Sequence, residues 1–228
     1  MDGFVYIIES PSSDDLLDGR TEGRSLSEAL TLAGIQHWYS LATDEKTSIR
    51  ALAERLIQAW QYHQRPPILH FSMHGDQDGV ELTSGKGLSW HDLRQLLVPL
   101  NRAMKGGLLI SMSSCFGSSG CRMAMYADNE PPFWALVGNT GSPSWADAAV
   151  AYISFYHLFF KGYPLETCVE TMKAASADHN FIAHSGHEMK QNWLLHLQNQ
   201  LTHLGSEIQQ AANQVQKAAN AQMEAPPQ

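Results

Sequence analysis

The sequence predicts an α/β domain in which helices cover both faces of a central, mostly parallel sheet. Short apolar runs alternate with longer segments of helical apolar spacing, and this alternation continues through most of the chain. In addition, 43% of the residues are hydrophobic and 17% are charged, which suits a packed core. A three-layer α/β/α sandwich is the typical outcome of such a pattern.

Five short apolar runs, rich in β-branched and aromatic residues, are predicted to be strands. They cover residues 4–8, 37–42, 68–73, 107–112 and 133–138. Between the first two, residues 10–25 are polar and contain Pro11, Gly19 and Gly23, which predicts a long loop. We expect the five strands to form one sheet with connections of the parallel type.

Helices are predicted where apolar residues recur every three or four positions. These segments cover residues 26–33, 43–62, 89–104, 144–160 and 165–177, and a sixth begins near residue 191. We divide the chain into one domain over residues 1–204 and a C-terminal segment over residues 205–228. That segment is Ala/Gln-rich, and we predict a helix that ends in a disordered tail.

Composition excludes several classes of function. The formal net charge of −8 argues against the broad basic surface that nonspecific nucleic-acid binding requires. The first residues lack the basic region of a signal peptide, and no stretch approaches the roughly 18 apolar residues of a membrane span. Three cysteines without CxxC spacing favour free thiols in a reducing compartment. We therefore expect a soluble cytoplasmic protein with no nucleic-acid or membrane partner.

Two reactive side chains follow predicted strands. His74 ends the third run and precedes Gly75, and Cys115 follows the fourth run after two serines. Functional groups collect at the carboxyl edge of parallel sheets, so we expect both side chains there if the strands are neighbours. A free thiol has a pKa of about 8.5, and a nearby imidazole can take its proton and later protonate a leaving amine.

Each of the two residues alone also fits a structural role. A cysteine after an apolar strand is commonly a buried core residue, and Cys121 and Cys168 are predicted to be such structural thiols. The small residues around Cys115, together with Gly75, would let backbone N–H groups approach a developing oxyanion. The combination, in the order His then Cys, favours catalysis.

The order of these motifs resembles that of caspase-like (clan CD) cysteine peptidases, most closely the CHAT group. The resemblance covers roughly residues 4–177 and is strongest from residue 68 onward. The motifs that carry it are residues 69–75 (LHFSMHG), 79–82 (GVEL) and 109–118 (LISMSSCFGS), followed by Asp147-Ala148-Ala149, Phe155-Tyr156, Gly162 and Leu165.

This resemblance implies a caspase-like sandwich and a cysteine endopeptidase that cleaves protein or peptide substrates through a thioester. It implies that His74 is the general base, that Cys115 is the nucleophile, and that the backbone N–H groups of Gly75 and Cys115 form the oxyanion site. No cofactor is expected. Similar bacterial domains act as regulated proteases in stress or antiviral defence, some of them with a regulatory partner protein.

Four further residues are candidates for substrate binding: Ser113, Arg20, Arg24 and Asp76. Metacaspase-like members carry Asp at the position of Ser113, so a preference for Arg or Lys does not follow here. Arg20 and Arg24 lie in the loop from which caspases supply an arginine for a P1 aspartate. Of the two interpretations, we favour a solvated loop arginine at both positions.

The remaining clusters of polar residues are candidates for a metal site. They are His70 with His74; His179, His184 and His187; and Asp14, Asp15 and Asp18. The first pair has strand rather than helix spacing, the second group fits scattered surface histidines, and the third lacks the ligand alternation of a calcium loop. We predict no metal.

Two alternative classes of function stay open. A catalytically inactive caspase-like scaffold would use its sheet and C-terminal helix to bind a partner protein, and the segment beyond Leu204 could dock onto another subunit. A flavodoxin-like binder of small molecules shares the layered architecture but leaves the His-Gly and Cys motifs unexplained. Selective reactivity of Cys115 distinguishes an enzyme from a scaffold.

Overall fold

The computed structural model describes residues 3–126, 128 and 130–223, and the side chains up to residue 217. The strands are β1 (Phe4–Ser10), β2 (His37–Leu41), β3 (Pro67–Gly75), β4 (Gly79–Glu81), β5 (Gly87–Ser89), β6 (Leu109–Ser113), β7 (Ala135–Asn139) and β8 (Phe181–Ser185). The helices are α1 (Ser13–Leu17), α2 (Glu22–Leu32), α3 (Glu45–Arg50), α4 (Leu56–His63), α5 (Trp90–Ala103), α6 (Trp145–Phe160), α7 (Leu165–Ser176) and α8 (Gly186–Met223). A π-helical turn (Ala51–Arg55) joins α3 to α4, and a 3₁₀ helix (Gly117–Ala124) follows β6.

The main sheet has the strand order β2-β1-β3-β6-β7-β8. All neighbours are parallel except β7 and β8, which are antiparallel. In β1, Phe4 and Tyr6 pack with side chains of α4 and α5, while Val5 and Ile7 pack with side chains of α2, α6 and α7 on the opposite face. The predicted three-layer α/β/α sandwich with a mostly parallel sheet is therefore confirmed.

The predicted loop over residues 10–25 is wrong in part, because this segment contains α1 and the first turn of α2. The side chain of Ser12 caps α1 by accepting a hydrogen bond from the backbone N–H of Asp15. The start of α2 is fixed by tertiary contacts of polar or small residues. Glu22 is buried against His70, and the N–H of Gly23 donates to Glu9. The spacing of apolar residues cannot reveal such polar contacts, so the sequence pattern did not predict this helix start.

Three strands escaped prediction. The β4–β5 hairpin pairs antiparallel with the end of β3, and each of its strands has only three residues. The antiparallel strand β8 lies at the edge of the sheet, where only Phe181 of its five side chains is buried. Neither segment has the continuous apolar run that marks a strand buried on both faces.

The C-terminal helix starts earlier than predicted, at Gly186, and continues to Met223. The predicted disordered end of the tail falls on residues 224–228, which lie outside the described part of the chain. No helix within the described residues is both long and apolar enough to cross a membrane.

Candidate active site

His74 and Cys115 come together because β3 and β6 are adjacent and parallel. The register pairs Ser72 with Ser113, an offset of 113 − 72 = 41 residues, and His74 and Cys115 have the same separation, 115 − 74 = 41. Extending this register two residues beyond the last pair places the two side chains at the carboxyl edge of the sheet. Both line one cavity of about 230 Å³.

The imidazole of His74 is held by a carboxylate. Its Nε2 donates a hydrogen bond of 2.6 Å to Oδ2 of Asp15, and its ring meets the Trp145 ring edge to face, with 5.1 Å between the centroids. Because Nε2 carries the proton that is donated to Asp15, Nδ1 of the neutral ring has a free lone pair that can accept a proton. The site thus contains a His–Asp pair beside a thiol.

Asp15 belongs to α1, the short helix that follows β1. Burial raises the pKa of its carboxyl, but hydrogen bonds from Ser12 and His74 lower it more, so that the pKa of Asp15 lies below its ordinary value. An ionised Asp15 can orient the ring and stabilise the imidazolium form of His74. The sequence interpretation considered Asp15 only as a calcium ligand and missed this contact.

The backbone after Cys115 turns sharply. Phe116 adopts φ 53°, a left-handed conformation that is costly for a residue with a Cβ, and its N–H donates to the carbonyl of Gly141 at 2.7 Å. At Gly117, a Cβ would lie 2.4 Å from the carbonyl oxygen of Met112, so only glycine fits there. This tight turn holds Cys115 at the end of β6.

Gly75 lies directly against the loop of the cysteine. A Cβ at Gly75 would come within 3.2 Å of the carbonyl oxygen of Cys115 and 2.9 Å of the carbonyl oxygen of Gly79. The backbones of the His-Gly and Ser-Cys segments therefore touch. Donation to an oxyanion by the N–H groups of Gly75 and Cys115 stays a prediction.

The cavity beside the pair is mostly apolar. Its side walls include Met73, Pro143, Trp145 and Ala148. Apart from His74 and Cys115, none of the described residues that line the cavity has an ionisable side chain. Ser113 also lines it, is only 2% exposed, and its hydroxyl has no hydrogen-bond partner among the described residues. A role of Ser113 in substrate binding stays a prediction.

The two candidate arginines do not line this cavity. The guanidinium of Arg20 pairs with Asp18 at 3.2 Å on the surface, where 65% of the Arg20 side chain is exposed. Arg24 lies over the ring of Tyr39, 5.9 Å from its centroid. Each arginine thus has a contact within the protein, and a role of either one in substrate binding stays a prediction.

Asp76 shapes the turn between β3 and β4. Its Oδ1 accepts hydrogen bonds from the backbone N–H groups of Asp78 and Gly79, at 2.7 and 3.0 Å. It also lines a second cavity, of about 580 Å³, that shares His74 with the first. A structural role is thus evident, and a role in substrate binding stays a prediction.

Two of the other candidate histidines, His70 and His184, have structural contacts. His70 is fully buried, with Nε2 bonded to Glu22 at 3.3 Å and Nδ1 bonded to the Tyr156 hydroxyl at 3.2 Å. His184 is hydrogen-bonded to Ser118 at 2.9 Å, and burial lowers its pKa. Within the described residues, no three His, Cys, Asp or Glu side chains are grouped as a metal site would require.

Fold and site together define a three-layer α/β protein with a Cys, His and Asp constellation at the carboxyl edge of its sheet. No protein-family model matches the chain, and no curated protein sequence matches it. Among solved structures, it is similar to the Arg-specific cysteine proteinase gingipain R (RgpB), with 10% identity, a TM-score of 0.49, and coverage of 79% of this chain and 46% of that one.

A second similar structure is the complex of the pro- and mature domains of Porphyromonas gingivalis RgpB. Here the identity is 12% and the TM-score 0.46, and the match covers 81% of this chain and 45% of that one. The chain thus spans a little under half the length of each gingipain chain that it matches.

Proposed function

We propose that this chain is a caspase-like cysteine endopeptidase that cleaves protein substrates with Cys115 as nucleophile. The observation that carries the proposal is the position of His74, which is bonded to Asp15 at 2.6 Å and lines the same cavity as Cys115. A nucleophile, a base and a group that orients the base are the parts that acyl transfer requires.

In the acylation step, His74 takes the thiol proton and the Cys115 sulfur attacks the carbonyl carbon of the scissile amide. The oxyanion that forms accepts hydrogen bonds from the N–H groups of Gly75 and Cys115. When the C–N bond breaks, the imidazolium of His74 returns its proton to the leaving amine. A thioester on Cys115 is left, and Asp15 stabilises the imidazolium while it exists.

In the deacylation step, His74 takes a proton from water, and the resulting hydroxide attacks the thioester carbonyl. Collapse of the second tetrahedral intermediate breaks the C–S bond. The product carboxylic acid leaves, and the proton on His74 returns to the Cys115 thiolate. Each cycle thus consumes one water and restores both residues.

The cavity supports a preference for an uncharged, mainly apolar side chain at P1. Its lining has Ser113 and no carboxylate, so an arginine or lysine side chain would enter without a counter-charge. The walls formed by Met73, Pro143 and Trp145 instead bury apolar surface. The proposed specificity therefore differs from that named for gingipain R.

The finer assignment depends on the motif order in the sequence. Membership of the CHAT group, a cytoplasmic location, regulation by a partner protein, and a role in bacterial stress or antiviral defence are proposals that this resemblance supports. These proposals can be tested separately from the catalytic mechanism, because the protease would require Cys115 and His74 however it is regulated.

The deciding experiment is cleavage of a pooled peptide library under reducing conditions by wild type, Cys115→Ala, His74→Ala and the control Cys121→Ala. We expect defined cleavages in wild type and the control, and their loss in the other two variants. A Cys115/His74 double variant should be no worse than either single one, because the two act as a unit.

Cleavage that persists in Cys115→Ala would overturn the assignment. If wild type cleaves nothing, a thiol-directed peptide probe is applied next. Labelling of Cys115 that is no faster than labelling of Cys121 would then identify an inactive scaffold.

A further inference from the structure

Helix α8 extends far beyond the domain. It has 38 residues, which corresponds to about 57 Å at 1.5 Å per residue. Only its beginning is docked: Met189 packs against the core, and Lys190 is buried and donates to the carbonyl of Tyr126. From residue 198 to residue 217, every side chain is exposed.

The exposed part of α8 has a regular apolar stripe. We call it the α8 stripe, and it consists of Leu194, Leu197, Leu201, Leu204, Ile208 and Val215. The steps alternate between three and four residues, and Ala211 completes the pattern between the last two members. The mean period is 3.5 residues over three heptads, which is the period of a helix that pairs with another helix in a left-handed coiled coil.

Beyond residue 198 the stripe is not packed against its own domain, whereas Leu197 is half-buried. Leu201 is 69% exposed, Ile208 is 62% exposed and Val215 is 70% exposed. Isolated helices gain little stability in water, and most helical stability in proteins comes from burial of an apolar face. An exposed stripe of this length and period is therefore suited to packing against a second helix.

The residues that flank the stripe indicate which helix this is. In coiled coils of two different helices, charged residues at the e and g positions, which flank the apolar stripe, commonly determine which helices pair. Here these positions are Gln198, Gln200, Gly205, Glu207, Ala212 and Gln214, with a single charge among them. The segment 191–217 contains one Glu and one Lys, a net charge of zero, although the whole chain has −8. Identical helices can therefore meet here without repulsion between like charges.

We propose that the α8 stripe pairs with the same stripe of a second copy of this chain, forming a two-stranded coiled coil. The paired region from Leu194 to Val215 is about 32 Å long. The neutral flanks leave apolar contact as the main source of stability. This inference is independent of the proposed catalysis.

The test is sedimentation velocity of the full chain over a wide range of concentration. We expect wild type to form a species of twice 25.3 kDa. The double variant Leu201→Glu/Ile208→Glu should raise the dimer dissociation constant by at least about a hundredfold, because two apolar contacts are lost from each helix.

Leu195→Glu is the matched control. Leu195 is on the same helix and 57% exposed, but lies outside the stripe, so its variant should dimerise like wild type. Circular dichroism and thermal melting show whether each variant keeps the fold. A wild type that is monomeric at every concentration would overturn the proposal, and so would a folded double variant that dimerises as strongly as wild type.

Discussion

Nε2 of His74 donates a 2.6 Å hydrogen bond to Oδ2 of Asp15 across 59 residues of sequence. The bond joins α1 to the end of β3, and it leaves 38% of the His74 side chain and 11% of the Asp15 side chain exposed. The carboxylate is thus sheltered while the imidazole stays accessible. Such an arrangement sets the tautomer and the orientation of the ring before a substrate arrives.

We predict that Asp15→Asn lowers kcat/KM for peptide cleavage by about 10–100-fold. The amide cannot stabilise an imidazolium, and it can also present a donor to Nε2 and so favour the wrong tautomer. The matched control is Asp14→Asn on the same helix, where the side chain is exposed. Equal activity of the two variants in a steady-state peptide assay would contradict a positioning role for Asp15.

The same carboxylate predicts how stability depends on pH. The pKa of Asp15 is lowered in the folded state, since the hydrogen bonds from Ser12 and His74 outweigh burial. Its ionised form therefore contributes stability that is present above the unfolded pKa of about 3.9 and is lost as the pH falls through the folded pKa.

Urea unfolding of wild type and Asp15→Asn at a series of pH values measures this contribution. We expect the difference in free energy of unfolding to be largest near neutral pH and to shrink in acid. A difference that is constant over the whole range would show that Asp15 does not titrate as proposed. Asp14→Asn again reports the effect of removing one surface carboxylate.

His74 and Cys115 could be predicted because each stands at the carboxyl end of a mostly apolar run. The structure places His74 next to the last residue of β3 and Cys115 two residues after β6, and mostly apolar runs of this kind are typical of strands that are buried on both faces. The sequence shows how far apart His74 and Cys115 are along the chain. Only the structure shows that residues with this separation lie side by side in the pairing of β3 with β6. The layered fold was predictable for the same reason. The strands β1, β3, β6 and β7 are buried, so their residues are mostly apolar and the strands can be recognised in the sequence.

Asp15 and Trp145 could not be assigned in this way. Asp15 is on a five-residue helix within a polar segment, and the only local signal is the Ser12 cap directly after β1. Trp145 is the first residue of α6, and a large apolar residue at a helix start usually belongs to the core. Both residues contact His74 only because the tertiary fold brings distant segments together. Local sequence patterns do not reveal such contacts.

Cys115 should react faster with a thiol reagent than the other two cysteines do. Burial raises the pKa of Cys121 and of Cys168, so a smaller fraction of each thiol is ionised at neutral pH. Brief treatment of the native protein with iodoacetamide, followed by peptide mapping, should label Cys115 at least about tenfold faster. Equal labelling of Cys115 and Cys121 would argue against an activated thiol.

The buried polar group around His70 should contribute to stability. In Tyr156→Phe the hydroxyl that lies 3.2 Å from Nδ1 of His70 is lost, and a buried ring nitrogen is left without that partner. We expect the free energy of unfolding in urea to fall by about 1–3 kcal/mol. Tyr163→Phe, at a side chain that is 47% exposed, is the control and should change it by less than about 0.5 kcal/mol. Equal effects would mean that the His70 contact is not stabilising.

The P1 preference should change when a carboxylate is placed in the cavity. Wild type is expected to cleave after uncharged, apolar side chains, because the lining of the cavity has no counter-charge for a base. In Ser113→Asp, the new carboxylate faces the same cavity, so the ratio of kcat/KM for arginine over leucine at P1 should rise by at least about tenfold. Ser113→Asn introduces a similar volume without charge and should not change this ratio. Thermal melting establishes that both variants fold, since position 113 is buried. If folded Ser113→Asp retains the wild-type ratio, the cavity beside Cys115 is not the P1 pocket, even if peptide cleavage still depends on Cys115.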